Sequence, residues 1–248
     1  PFTIPYLAGR VSYTYCVNPS LLQKTVSEML ASGKGLLAAD ESTSNIAKKF
    51  APIGLPSTPE THQAYRDMFF TAPGMEEFIS GVILYDETIR QNALSGEAFP
   101  ALLGKKGVVP GIKVDLGLAP MTNSPEEQTT KGIEGLRERL DEYRALGARF
   151  AKWRAVITIG KGLPTEDNIR RNAQDLATYA RICQEADIVP IVEPEVLMNG
   201  AHTSVESEKV LSKTLFAVFS ALRAAQVDFS GMLLKTSMVV PGSKSGEK

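Results

Sequence analysis

Lys152 and Arg154 stand two positions apart in FAKWRAVITIG, residues 150–160, a run whose Phe, Trp, Val and Ile otherwise read as a buried strand. Side chains alternate along a strand, so both cations leave one side while Ala151 and Trp153 leave the other. Two charges on one face of a buried strand require an anionic partner or ligand. Similar charges recur in other apolar runs: Asp40 ends GLLAAD, Lys113 and Asp115 lie in GIKVD, Glu193 and Glu195 in IVPIVEPE, and Lys235 in GMLLKTSM. Lysines and carboxylates brought together can supply an amine nucleophile and the groups that move its protons. A structural network of ion pairs is the competing reading.

Those runs, with SGVILYDE at 80–87, make six candidate strands spaced roughly 30 to 45 residues apart, the rhythm of βα repeats. Helical patterns fill most of the gaps. NPSLLQKTVSEMLASG offers Asn18 as cap, Pro19 at the first helical position and Gly33 as stop. TTKGIEGLRERLDEYRALG, TEDNIRRNAQDLATYARICQEA with Thr165 as cap, and VESEKVLSKTLFAVFSALRAA supply three more. The rhythm fits an open doubly wound parallel sheet or a TIM barrel, and in a barrel the C-terminal strand ends converge on one cleft. APIGLPSTPE and MTNSPEEQ read as loops within the rhythm, so residues 1–248 are expected to form a single domain.

The 248 residues are 43% hydrophobic and 22% charged, with a formal net charge of −1, a soluble globular composition with no long-range field for nucleic acid or a membrane surface. No apolar run reaches the roughly 18 residues of a membrane span, and no leader pattern opens the sequence. Cys16 and Cys183 lack metal-ligand spacing and read as packing thiols in a reducing compartment, which points to a cytoplasmic address, with an organelle reached through a removed transit peptide as the alternative. His62 and His202 read as surface residues and Trp153 as core.

GKGLLAADEST, GIKVD, GARFAKWRAV, VPIVEPE and LLKTSMVVPG, in this order and spacing, resemble segments of class I fructose-1,6-bisphosphate aldolase, from about Leu21 to Gly242. The resemblance implies an α/β fold of the TIM (β/α)8 type and an aldehyde-lyase of glycolysis and gluconeogenesis. It implies a phosphosugar substrate, a lysine Schiff base without metal or cofactor, and usually a homotetramer. It assigns Lys235 as the amine that attacks the substrate ketone, Lys152 as the neighbouring cation that tunes it, Glu193 as acid and base for Schiff-base formation, and Asp40 as the carboxylate needed for cleavage. Glu195 would orient the lysines, while Ser42, Lys113 and Arg154 would contact hydroxyl or phosphate oxygens.

Each role has a plainer counterpart. Asp40 or Ser42 could cap the helix starting in STSNIAKKF, Glu195 and Asp115 could be ordinary ion-pair partners, and Lys235 could snorkel, although Leu233, Leu234 and Met238 give it an apolar neighbourhood. This chain also has Thr236 where the family has proline, Thr43, Ser44 and Asn45 where a Gly-Ser ending is common, and Leu116 where lysine is usual. Six strands bring the chain to Met238, so the last two barrel strands and the C-terminal part of the family's chain are expected to have no counterpart here. Two other readings compete: a non-catalytic aldolase-like scaffold, and Mg²⁺ bound by Asp40, Glu193 and Glu195.

Overall fold

The computed structural model describes residues 19–247. Asn18 and Cys16 lie outside them. Helix α1 (Pro19–Met29) leads to β1 (Gly35–Ala39); α2 (Thr43–Phe50), α3 (Pro59–Phe70) and short α4 (Met75–Phe78) lead to β2 (Ile79–Leu84). After α5 (Asp86–Ile89) and α6 (Phe99–Lys105) comes β3 (Val109–Lys113), followed by β4 (Leu118–Met121) and β5 (Ser124–Thr130). Then α7 (Leu136–Ala145), β6 (Phe150–Ile157), α8 (Glu166–Glu185), β7 (Val189–Val196), α9 (Ser204–Ala224) and β8 (Leu233–Leu234) complete the order.

Among the described residues six strands form one parallel sheet, in the order β1-β2-β3-β6-β7-β8, which curls into a half-barrel. All six correspond to the apolar runs of the sequence, although β8 pairs over two residues only. The other two strands, β4 and β5, form a separate antiparallel hairpin. That hairpin corrects two expectations: MTNSPEEQ is not a loop, and Thr129 and Thr130 pair in β5 instead of opening a helix. Its support is remote in sequence. The Thr130 hydroxyl donates to the Arg154 carbonyl at 2.7 Å, and buried Glu127 accepts from the Thr165 amide at 2.8 Å and hydroxyl at 2.6 Å. Gly132 and Gly135, with φ of +121° and +65°, then turn the chain, so α7 begins only at Leu136.

Long helices start where their caps dictate. The Thr165 hydroxyl accepts from the Asn168 amide to open α8, and Thr203 with Glu206 forms a capping box on α9. Helix α1 stops at Met29, four residues before Gly33.

The alternation of side chains divides the sheet into two faces. Outward, Val82, Leu84, Ile112, Ala151, Trp153 and Val192 join the main core with α8, where Trp153 stacks on Tyr179 at 5.5 Å; Cys183 is buried in the same core, and burial pushes its thiol up. Inward, Ile83, Val109, Phe150, Val189 and Ile191 meet Leu22 and Met29 of α1, which closes one end of the half-barrel. One step further along the strands, on the same inner face, apolar residues give way to Lys113, Lys152 and Glu193.

That apolar floor depends on two glycines. The Phe150 ring lies flat over β2 and β3: a Cβ on Gly111 would meet its atoms at 2.3 Å, and one on Gly81 would meet them at 3.2 Å. Phe150 is fully buried and has nowhere to withdraw. Gly111→Ala is therefore expected to cost about 1–3 kcal/mol through overpacking, lowering the melting temperature by several degrees. Adding Phe150→Leu should return part of that loss; a double variant no more stable than the sum of the single ones, measured by calorimetry, would show that the ring is not the obstacle.

Candidate active site

The C-terminal ends of the parallel strands deliver the charged residues. Asp40 follows β1, Lys113 ends β3, Lys152 and Arg154 lie on β6, Glu193 and Glu195 on β7, and Lys235 follows β8. Parallel register sets their heights: Lys113 pairs with Lys152, Arg154 with Glu193, and the Lys235 amide donates to the Val192 carbonyl at 2.9 Å.

These side chains join into one line of alternating charge. Lys152 Nζ lies 2.8 Å from Asp40 Oδ2 and 3.4 Å from Glu193 Oε2, and Glu193 Oε1 accepts from Lys235 Nζ at 2.6 Å. Lys152 and Glu193 are both buried. Burial alone would pull the Lys152 ammonium down, but Asp40 and Glu193 outweigh it and raise its pKa, so Lys152 is a fixed cation in this cleft. Glu193 Oε2 makes no hydrogen bond, only the longer ion pair to Lys152. One carboxylate oxygen thus touches the exposed lysine while the other has capacity to accept or give a proton.

Two expectations need correction. Lys235 is not enclosed by its apolar neighbours; its side chain is 49% exposed, held at its tip by Glu193. Glu195 orients neither lysine: it pairs with Arg154, and Glu193 is the residue that contacts both. The plainer readings also separate. Asp40 does not cap α2, whose cap residue is Ser42; the Ser42 hydroxyl makes no capping bond and lies 3.1 Å from that of Ser44. Asp115 pairs with Lys113 at 2.7 Å. His62 and His202 are buried, not on the surface, His62 because Ser57 and Glu87 satisfy both ring nitrogens.

A cavity of about 560 Å³ opens beside the lysine line, lined by Ser42, Asn45, Lys113, Asp115, Arg139 and Arg154 among others. Three of the expected substrate contacts, Ser42, Lys113 and Arg154, therefore share it. A second hollow of about 370 Å³ contains Glu193, Glu195 and Lys235. A larger, mainly apolar groove, about 690 Å³, lies outside between α8 and α9; its charged lining residues include the exposed ion pair of Lys213 with Glu166, and none of the expected site residues lines it. Among the described residues no helix is long and apolar enough to cross a membrane, and no cluster of His, Cys, Asp or Glu could hold a metal ion.

Sequence reasoning passed over Glu41, Arg66 and Arg139. Buried Arg66 binds Glu41 Oε2 at 2.5 Å and the Glu41 carbonyl at 3.1 Å, and Tyr65 donates to Glu41 at 3.3 Å. Burial pushes the Glu41 carboxyl up, but Lys49, its own backbone amide and Arg66 outweigh that and lower it. These bonds anchor the backbone immediately after Asp40. Arg139 ties together the backbone on either side of the hairpin, donating to the Val114 carbonyl at 2.8 Å and to the Gly132 carbonyl. No local pattern marks either arginine, because both sit on ordinary amphipathic helices and their partners are about 25 residues away.

Comparisons with known proteins point to one family. Residues 21–248 match the family described as fructose-bisphosphate aldolase class-I. A probable fructose-bisphosphate aldolase class 1 from Xylella fastidiosa is 47% identical over 92% of this chain and 68% of its own. The cytosolic fructose-bisphosphate aldolase 5 of Arabidopsis thaliana is 48% identical over 90% of this chain and 63% of its own. The chain thus spans about two thirds of the length of these relatives. A fructose-bisphosphate aldolase from Plasmodium falciparum, solved in complex with TRAP and a small molecule inhibitor, superposes with a TM-score of 0.91 at 42% identity, covering 96% of this chain and 71% of the other. The half-barrel is accordingly part of a TIM-barrel fold. With a lysine-carboxylate-lysine line at its strand ends and a family match over nearly its whole length, this chain belongs to the class I fructose-bisphosphate aldolases, a family of lyases.

Proposed function

We propose that the chain cleaves fructose 1,6-bisphosphate reversibly to dihydroxyacetone phosphate and glyceraldehyde 3-phosphate, through an imine on Lys235. The observation that carries the reading is Glu193 in contact with both lysines, 2.6 Å from Lys235 and 3.4 Å from Lys152. An ammonium has no lone pair, so Lys235 must first lose a proton, and Glu193 Oε1 is the acceptor in reach. The free amine adds to the substrate ketone; Glu193 then returns a proton to the departing hydroxyl, which leaves as water. The resulting iminium draws in the electron pair released when the central carbon–carbon bond breaks. Asp40 takes the proton from the C4 hydroxyl, whose oxygen becomes the aldehyde carbonyl. Lys152, between the two carboxylates, offsets their mutual repulsion.

Ser42, Lys113 and Arg154 are the proposed contacts to hydroxyl and phosphate oxygens. Arg154→Ala should raise KM about tenfold and leave kcat within about threefold, because the guanidinium acts on binding before and during the reaction alike. A larger fall in kcat than rise in KM in steady-state assays would place Arg154 in the chemical step instead.

Borohydride reduction in the presence of dihydroxyacetone phosphate tests the imine directly. Mass spectrometry should find the reduced three-carbon adduct on the peptide containing Lys235; its absence from full-length protein overturns the assignment. By family resemblance we extend the proposal to a homotetramer at a cytosolic address. Sedimentation at the mass of a single chain would refute the tetramer, and fractionation with an organelle would refute the address.

A further inference from the structure

Separate from the residues of the lysine line, the loop between α2 and α3 holds a second constellation. Ser57 Oγ lies 2.7 Å from His62 Nε2, and His62 Nδ1 lies 2.8 Å from Glu87 Oε2. The three residues come from different elements: the loop, the second turn of α3, and α5. An ionised Glu87 has no proton to give, so the bond to it requires the proton on His62 Nδ1. In the neutral ring Nε2 is then the acceptor nitrogen, and it faces the serine hydroxyl. Hydroxyl, imidazole and carboxylate in this sequence, at hydrogen-bond distance, form the arrangement by which a serine is made nucleophilic.

A purely architectural explanation covers only half of the arrangement. Ser57 precedes the Thr58 cap and His62 sits at the fourth helical position, where many helices place a hydrophobic pair that sets the entry angle of the chain. A hydrogen-bonded pair could do the same. It would not require a carboxylate from α5 on the far ring nitrogen, nor a histidine 2% exposed beside a serine hydroxyl open to solvent. The Phe50 ring, 6.0 Å from the imidazole, covers it on one side. The positive end of α3 also lies at this point and favours negative charge developing on the serine oxygen.

We propose that Ser57 is a nucleophile activated by His62 and oriented through Glu87, and that it accepts acyl groups from small activated esters. Ser57 Oγ adds to the ester carbonyl and its proton passes to His62 Nε2. The carbon–oxygen bond to the leaving group then breaks, and the departing alkoxide takes that proton as an alcohol. Water, deprotonated by the same nitrogen, releases the acid and restores the serine. Ser57 lies in an exposed loop with Ile53 and Leu55 also exposed, so the substrate class is small esters, not long acyl chains requiring a deep tunnel.

A fluorophosphonate probe tests this on the full chain, since it forms a stable phosphorus–oxygen bond with activated serines and expels fluoride. A single adduct on Ser57, located by peptide mass spectrometry, is expected. Ser57→Ala should remove it, and Lys235→Met, which deletes the amine of the aldol chemistry, should retain it. His62→Gln should slow labelling at least about 100-fold. Glu87 is a positioning residue: Glu87→Gln should lower the maximal labelling rate at least about tenfold without changing the probe concentration that gives half of it. Because buried His62 could be needed for folding, Glu87→Gln, partly exposed and close in shape, keeps the test independent of that variant. No adduct at Ser57, or labelling at the wild-type rate in a folded Glu87→Gln protein, overturns the proposal.

Discussion

Lys235→Met in the full-length protein should abolish aldol cleavage, lowering kcat at least about 10⁴-fold while the fold is retained. No other amine can take its place: Lys152, the other lysine on Glu193, is buried and also bound to Asp40. Loss of a covalent nucleophile removes the electron sink along with it, so positioning and acid–base groups have no intermediate on which to act. Fold retention is expected because the Lys235 side chain is half exposed, and its replacement frees Glu193 to keep the ion pair with Lys152. Cleavage assays paired with circular dichroism check both halves. A well-folded Lys235→Met protein with more than about one hundredth of wild-type kcat would remove the imine from the mechanism.

Lys152→Met should have two effects, one on chemistry and one on stability. In the cleft it leaves Asp40 and Glu193 without the cation they share, so the two carboxylates face each other unscreened and Glu193 loses the ion pair that holds it beside Lys235. A fall in kcat of about 10²-fold or more is expected, the range for lost acid–base function. Lys152→Arg should recover only part, since guanidinium restores the charge with a different shape. For the fold, removing one partner of a buried ion pair strands the other, at a cost of about 3–5 kcal/mol.

The pH dependence of that stability has a definite sign. Asp40 and Glu193 outweigh burial and raise the Lys152 pKa in the folded chain above the ordinary lysine value of 10.5. Its stabilising contribution is therefore complete below that value and is lost as pH rises through the folded pKa. Melting temperatures of wild type and Lys152→Met, well separated at neutral pH, should converge as pH rises past 10.5 and through the folded pKa. A constant gap across that range would show that Lys152 stabilises by packing alone, and a kcat within about twofold of wild type would remove Lys152 from the chemistry.

The one-dimensional pattern determined more of this protein than its length would suggest. All six sheet strands, their charged C-terminal ends and the shared face of Lys152 and Arg154 follow from apolar runs and a period of two, both set by neighbours within a few residues. The capping of α8 by Thr165 is equally local. The family resemblance added roles for Lys235, Glu193 and Asp40 that no periodicity supplies.

Tertiary structure decided what depends on partners far along the chain. The hairpin of β4 and β5 reads as loop and helix start because its stabilising bonds run to Arg154, Thr165, Asn168 and Asn172, across 24 to 44 residues. Glu193 and Glu195 are equivalent by spacing, and only the placement of β7 between β6 and β8 gave Glu193 both lysines and left Glu195 to Arg154. His62 reads as polar surface until α5 delivers Glu87 to its second nitrogen, which satisfies the ring and permits its burial. In each case the local sequence sets which groups a residue can offer, while the free energy of using them depends on a partner that only folding brings within hydrogen-bond distance.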